Sequence, residues 1–325
     1  MKVLSLFDGM SCGRLALDRA NISVENYYAS EIDKYAIKVA QANYPNTVQL
    51  GDVTKWKEWD IDWSSIDLLI GGSPCQGFSF AGKQLAFDDP RSALFFMYVD
   101  ILNHIKSVNP DVRFMLENVR MKKEYLDIIS EQLEVEPVFI NSALVSAQNR
   151  QRYYWCNWNV EPPENKGVVL ADILECDFVD RDKSFCLDAK YFKGGNLKSY
   201  FERNRGQLIF GIVNFNDRIK VVTEDARGIR YNKGDIKKSG ISELGRILKH
   251  SAKYTDALTT SHMPKLALND DLSNLVYRKL TPIECERLQT VPDNYTNHVS
   301  NTQRYKMLGN GWTVDVIAHI FKSIY

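Results

Sequence analysis

Between Gly71 and Gly82 the chain reads GGSPCQGFSFAG. The thiol of Cys75 follows a proline, stands among glycines, and comes just after the apolar run IDLLI at 66–70. A packing cysteine sits inside an apolar run; one in a glycine-rich loop sits where ligands approach the backbone. Two other segments carry groups that complement a thiol. ENV supplies Glu117 and Asn118, and QNRQRYYW supplies Gln148, Arg150 and Arg152 at alternating positions, on one side if that stretch is extended. Together these suit nucleophilic attack on an electron-poor ring. A thiolate adds, a carboxylic acid holds or protonates a ring nitrogen, and an arginine binds a carbonyl oxygen.

Such groups need elements that bring them to one edge. The first half of the chain alternates β-rich and helical runs. KVLSLF, VENYYASEI, TVQLGDV, IDLLIGG, VRFMLENV and PVFINSALV read as six strands. GRLALDRA, DKYAIKVAQANYP, SALFFMYVDILNHIKSVNP and KEYLDIISEQL read as helices, two of them stopped by Pro45 and Pro110. The alternation predicts an α/β fold, a parallel sheet with helices on both faces, and ligands at the carboxyl ends of the strands.

The residues after those strands suggest a second ligand. Strand one runs into LFDGMSCG, where Gly9 and Gly13 permit a tight turn. Strand two ends at Glu31, about 20 residues later, where an acid suits ribose hydroxyls. Strand three ends in GDV, so Asp52 could accept from an adenine amino group. Each acid alone could be a helix cap, but the glycine turn and two acids aligned at three strand ends favour an adenosine-type ligand. Neither G-x-G-x-x-G nor a P-loop occurs, which argues against an ordinary nicotinamide oxidoreductase and against ATP.

The six cysteines form no C-x-x-C pair and no zinc spacing. Cys12, Cys156, Cys176, Cys186 and Cys285 read as packing or surface residues. The apolar start covers only Val3–Phe7, too short for a signal peptide core, and no run reaches membrane-span length, so a cytoplasmic protein is expected. The formal net charge of +0 hides an asymmetry. Residues 181–265 hold 18 Lys and Arg against 9 Asp and Glu, and the rest of the chain is correspondingly acidic. A basic segment on an acidic body suits a polyanion. After about Asp177 the texture turns loop-rich, with short β-like pieces such as LIFGIV and IKVV; TVDVIAHIFKSIY then returns to helical periodicity.

With these residues in view, the chain resembles the DNA (cytosine-5)-methyltransferase family. The resemblance runs in order through LSLFDGMSCG, SEID, GDV, GGSPCQGFSFAG, DDPRSALF, LENV, QNRQRYYW, RKLTPIECERLQTVPDNY and YKMLGNGWTVDVI. It implies an S-adenosylmethionine-dependent Rossmann-like domain at 1–175 and 297–325 and a target-recognition domain at 176–296. It implies that Cys75 adds to C6 of a flipped cytosine, that Glu117 holds N3 and the exocyclic amine, and that Arg152 contacts O2 with Arg150 in support. Phe7, Asp8, Gly9, Gly13, Glu31, Ile32, Asp52, Val53, Pro74, Leu94, Asn310 and Trp312 match cofactor positions. Ser79 and Arg91, on the segment from Phe78 to Phe95 that matches a mobile loop, and Gln76, Gln148, Thr259 and Thr260 match DNA-contacting ones. Duplex DNA is the expected substrate, S-adenosylhomocysteine the product, a restriction endonuclease a possible system partner, and a monomer the expected state. Two blocks depart from the commoner pattern: LFDG stands where many members have LFAG, and GNGWTV where many have GNSV, variants similar to a subgroup that includes the animal de novo enzymes. A tRNA-acting branch shares these blocks, but its loop typically reads PCQPF rather than PCQGFS. The complete catalytic set argues against a non-catalytic DNA-binding relative.

Overall fold

The computed structural model describes residues 1–74, 93–175, 179–193, 200, 203–212, 232–233 and 275–324. Its centre is a seven-stranded sheet of order β3-β2-β1-β4-β5-β7-β6. The strands are β1 (Lys2–Leu6), β2 (Asn26–Ser30), β3 (Val48–Gln49), β4 (Leu68–Gly71), β5 (Arg113–Val119), β6 (Pro137–Asn141) and β7 (Gln151–Cys156). The helices between them are α1 (Cys12–Arg19), α2 (Lys34–Asn43), α3 (Ala93–Val108) and α4 (Lys123–Leu133). Later come α5 (Pro282–Leu288), α6 (Asn301–Asn310) and α7 (Val314–Phe321).

Strand residues alternate between two cores. Val3, Leu68, Ile70 and Met115 pack on one face with Ala16 and Leu17 of α1 and Val314 and Ile317 of α7. Leu4, Leu69, Phe114 and Leu116 pack on the other with Tyr98 and Leu102 of α3 and Ile129 of α4. Successive side chains of a strand point to opposite faces, so a sheet covered on both sides must be apolar at consecutive positions. This is why the strands read as continuous apolar runs.

The four pairings from β3 to β5 are parallel, as expected. The expectation of a parallel sheet fails at its far side. QRYYWC forms a seventh strand, β7, inserted antiparallel between β5 and β6. The expected sixth strand is also shorter: after Asn141 the chain turns into a short 3-10 helix, with the Asn141 side chain accepting from Ala143 N at 3.1 Å. Strand three shrinks to two residues because Asp52 caps a 3-10 helix that starts at Val53.

Apart from the central sheet, β8 (Leu208–Ile212), β10 (Leu275–Lys279) and β9 (Asn232–Lys233) form a separate antiparallel sheet of order β8-β10-β9. The stretch IKVV lies outside the described residues. Leu280, Cys285, Leu288, Val291 and Tyr295 are buried in the same core as Val3 and Ile317. Helix α5 starts with a reciprocal capping box between Thr281 and Glu284, a sequence signal for a helix start. Among the described residues no helix is long and apolar enough to cross a membrane, and no group of three His, Cys, Asp or Glu could hold a metal ion.

Candidate active site

Strand β1 is flanked by β2 and β4, so the crossovers leave it in opposite directions and open a crevice at the carboxyl ends of these strands. A cleft of about 450 Å³ lies there, within the range of small-molecule sites. Phe7, Gly9, Glu31, Ile32, Asp52, Val53, Pro74, Leu94, Asn310 and Trp312 all line it, as do Glu117, Arg150 and Arg152. Residues that the sequence distributes over the whole chain thus meet in one crevice.

The turn after β1 is built on unusual backbone. Phe7, Gly9 and Ser11 have φ of 58°, 61° and 62°, in the left-handed region. Such a turn needs external fixing. Glu31 supplies it: Oε2 accepts from Gly9 N at 2.8 Å, and Oε1 accepts from Ile32 N and Asp33 N at 2.8 Å each. A carboxylate has about four acceptor sites, two on each oxygen. Among the described residues, Oε2 therefore keeps one, on a side chain that lines the cleft.

Asp8, the variant position of the LFDG block, has a side chain with a structural use. Tyr27 OH donates to Oδ1 at 2.7 Å and Ser11 Oγ to Oδ2 at 2.5 Å. The residue keeps some surface on the cleft, but its carboxyl is enclosed by these groups. Burial pushes its pKa up to about 6, against the lowering effect of the hydrogen bonds from Ser11, Ser5 and Tyr27. Asp52 is a cap in fact as well as a cleft residue: its Oδ1 accepts from Thr54 N and Thr54 Oγ1, both at 2.9 Å. Those bonds hold its carboxyl below the usual range.

Glu117 and Arg152 form the polar wall at the other end of the cleft. Because β7 runs antiparallel to β5, Glu117 faces Tyr154 and Val119 faces Arg152. Glu117 and Arg152 are then diagonal neighbours on one face, within reach of a long side chain. Arg152 Nε lies 2.7 Å from Glu117 Oε1. The other carboxylate oxygen, Oε2, accepts from Trp312 Nε1 at 3.1 Å. Next to them, Asn118 Nδ2 donates to Ser73 Oγ at 3.3 Å, tying β5 to the segment that leads through Pro74 into the cysteine loop.

Arg150 is 3% exposed, and its guanidinium is spent on backbone. It donates to the carbonyls of Leu187 at 3.0 Å, Gly309 at 3.3 Å and Gly311 at 2.8 Å. It therefore clamps the 309–311 strap that precedes Trp312. Gln289 Nε2 holds the same strap at Leu308 O, 2.7 Å away, and Gly311 O, 3.3 Å away.

Two expected site residues have other roles. Gln148, expected to contact DNA, is completely buried; its amide nitrogen donates to Leu288 O at 2.9 Å and Gln289 Oε1 at 3.0 Å. It does not share the surface of Arg152, because Gln148 precedes the strand and the alternation of an extended chain does not reach it. Gly13, expected at the cofactor, does not line the cleft; a Cβ there would run into Ile70 Cδ1 and Tyr27 OH, so it is a helix-to-sheet packing glycine. Cys75, Gln76, Ser79, Arg91, Thr259 and Thr260 lie outside the described residues, as does Cys176. Cys12, Cys156 and Cys285 are buried, and burial raises all three thiols, Cys12 to about 12. They stay protonated and inert at neutral pH. Cys186 is exposed.

Sequence reasoning missed Gln303, Lys306 and Met307 of α6, which line the cleft. Gln303 Oε1 is buried there with no hydrogen-bond partner among the described residues. Their helical spacing, two residues falling three and four after Gln303, was the available signal.

Comparison with known proteins identifies the family. The family model for C-5 cytosine-specific DNA methylases matches residues 1–325. A type II methyltransferase of Lactococcus lactis subsp. cremoris, M1.ScrFI, is 31% identical over 335 residues, covering 99% of this chain and 77% of its own. The type II methyltransferase M.HhaI of Haemophilus parahaemolyticus is 27% identical, with 100% of this chain and 94% of its own covered. Among solved structures, an Entamoeba histolytica methyltransferase superposes with TM-score 0.65 at 16% identity, over 99% of this chain and 97% of that one. That last likeness concerns the fold alone.

Proposed function

From the premise that this chain belongs to the C-5 cytosine-specific DNA methylase family and is a DNA (cytosine-5)-methyltransferase, we propose that it acts on a cytosine swung out of duplex DNA, through a covalent bond between Cys75 Sγ and C6. The observation that carries this reading is the Glu117–Arg152 pair, 2.7 Å apart in the wall of an adenosine-sized cleft. One side of such a site can hold a methyl donor and the other a pyrimidine ring.

C6 is out of reach inside a base stack, so the base must leave the duplex. The Cys75 thiolate forms a bond to C6, and the C5–C6 π electrons move onto C5. Glu117 engages N3, onto which the negative charge spreads from C5 through C4, and accepts from the exocyclic amine, and Arg152 binds O2. S-adenosylmethionine, when bound, supplies an electrophilic methyl group. Loss of the C5 proton to a base then restores the C5–C6 double bond and expels Cys75 as thiolate. The residues present fit that donor. Phe7 would pack against the adenine, Glu31 would offer its remaining acceptor site to a ribose hydroxyl, and Asp52 would have Oδ2 for the adenine amino group. Leu94, Asn310 and Trp312 complete the pocket.

Basic residues of the 181–265 segment, with 18 Lys and Arg against 9 Asp and Glu, supply contacts to DNA phosphates. The type II relatives favour a role as the modification half of a restriction–modification pair. The test is bisulfite sequencing of plasmid from cells expressing the protein, beside a Cys75→Ala control. One short motif protected from conversion, and unprotected in the control, is the expected result. No protection with soluble protein present, or methylation of tRNA alone, would overturn the DNA reading.

A further inference from the structure

Trp312 belongs to the GNGWTV block, and it lines the cleft on the side proposed for the donor. Yet its one polar atom points away from the donor's expected contacts and into the pyrimidine side: the indole Nε1 donates to Glu117 Oε2 at 3.1 Å. The two residues are 195 positions apart. The geometry around this bond is tight. A Cβ added to Gly72 would sit 2.9 Å from Trp312 Nε1 and 3.0 Å from Glu117 Oε2, closer than side-chain carbons normally approach. The backbone at the tip of β4 is thus kept bare where the indole and the carboxylate meet. Behind the indole, Arg150 and Gln289 fix the strap at Gly311 O. Arg152 holds the other oxygen of Glu117.

We propose that Trp312 is a positioning residue for Glu117: its indole N–H fixes the carboxylate rotamer so that the acid is already aimed when the cytosine arrives. The assignment rests on the proposed role of Glu117 at the base. A carboxylate on a short flexible chain samples several rotamers. With Arg152 on one oxygen and Trp312 on the other, both ends of the group are held before substrate binds, and no reorganisation is needed as charge develops. Among the described residues each oxygen keeps a second acceptor site, so the indole bond and the base contacts can coexist. The same indole also walls the donor pocket. Trp312 therefore links the two halves of the site, and a purely donor-binding role would leave the position of its N–H unexplained.

The experiment separates the two roles. Trp312→Phe keeps an aromatic wall and removes the N–H. Gly72→Ala leaves both side chains intact and wedges them apart. Methyl incorporation into plasmid DNA gives kcat and the KM for S-adenosylmethionine; calorimetry with S-adenosylhomocysteine gives donor-site affinity directly. Both variants are expected to lower kcat about tenfold, the scale of losing one hydrogen bond to a charged group; Trp312→Phe, which keeps the aromatic wall, should hold donor affinity within about twofold of wild type, whereas Gly72→Ala, which displaces that wall, should weaken donor binding as well. Wild-type kcat in both variants would overturn the assignment, as would a Trp312→Phe variant that loses only donor affinity. If Trp312→Phe does not fold, Gly72→Ala decides by its kcat. A wild-type protein that methylates no plasmid would instead overturn the functional reading, and this assignment with it.

Discussion

Removing the Arg150 clamp tests whether the strap beside the cleft is held as the structure indicates. Arg150→Met keeps most of the side chain's length and volume but deletes the guanidinium. Three carbonyls then lose a charged donor: Leu187 at 3.0 Å, Gly309 at 3.3 Å and Gly311 at 2.8 Å. Leaving a buried acceptor unsatisfied costs about 1–3 kcal/mol. Gly311 retains Gln289 Nε2 at 3.3 Å, so its loss is partial. Against this stands relief from burying the guanidinium itself, which costs several kcal/mol before its hydrogen bonds are counted. The net is a destabilisation of about 3 kcal/mol. With an unfolding entropy of about 2.1 cal/mol/K per residue, a chain of 325 residues shifts by about 1.5 °C per kcal/mol, so Tm should fall by roughly 4–5 °C. Because the strap continues into Trp312, S-adenosylhomocysteine should also bind about tenfold more weakly. Differential scanning fluorimetry and titration calorimetry measure both. Arg150→Lys should fall between, since an ammonium cannot span carbonyls on both sides of the fork. A methionine variant that melts within 2 °C of wild type and binds S-adenosylhomocysteine normally would refute the clamp.

Two further predictions concern the frame around the cleft. In the folded state the Asp8 carboxyl titrates at about 6, against an ordinary 3.8, because burial outweighs its hydrogen bonds. The folded protein therefore binds more protons than the unfolded chain between these values, and this group's contribution to stability declines as pH rises from about 4 to 6, by about 3 kcal/mol in all. Asp8→Asn should flatten that part of a plot of urea midpoint against pH; parallel slopes for variant and wild type would contradict the reasoning. Gly309→Ala places a carbon against the backbone of Asp188 and Ala189, where no flexible side chain can yield. It should destabilise the chain by about 1–3 kcal/mol, read as a lower urea midpoint, and an unchanged midpoint would show that α6 does not pack on that segment.

The sequence by itself determined the parts of this protein that are local. Apolar runs broken by helical periodicity specify β1 to β5 and α1 to α4, because a strand buried on both faces and an amphipathic helix have different periods. The candidate groups were equally legible as residue types: a thiol after Pro74, the carboxyl of Glu117 and the guanidinium of Arg152 stand out in the sequence, and the order of their blocks along the chain carries the family resemblance. Strand direction was not legible. A run such as QRYYWC has the same alternation whichever way it is threaded, and only pairing with β5 shows it to be antiparallel. That direction brings Arg152, at the start of β7, beside Val119 at the carboxyl end of β5; a parallel strand would have carried it to the opposite edge. The partners of long polar side chains were also hidden, since they depend on which backbones approach each other. Hence Arg150 and Gln148, two and four positions before Arg152 in one motif, are internal clamps on the C-terminal helices, while Arg152 alone faces the carboxylate. The bond from Trp312 to Glu117 closes over 195 residues, and nothing in either segment's local pattern encodes it; tertiary packing of the strap against the tip of β4 decides it.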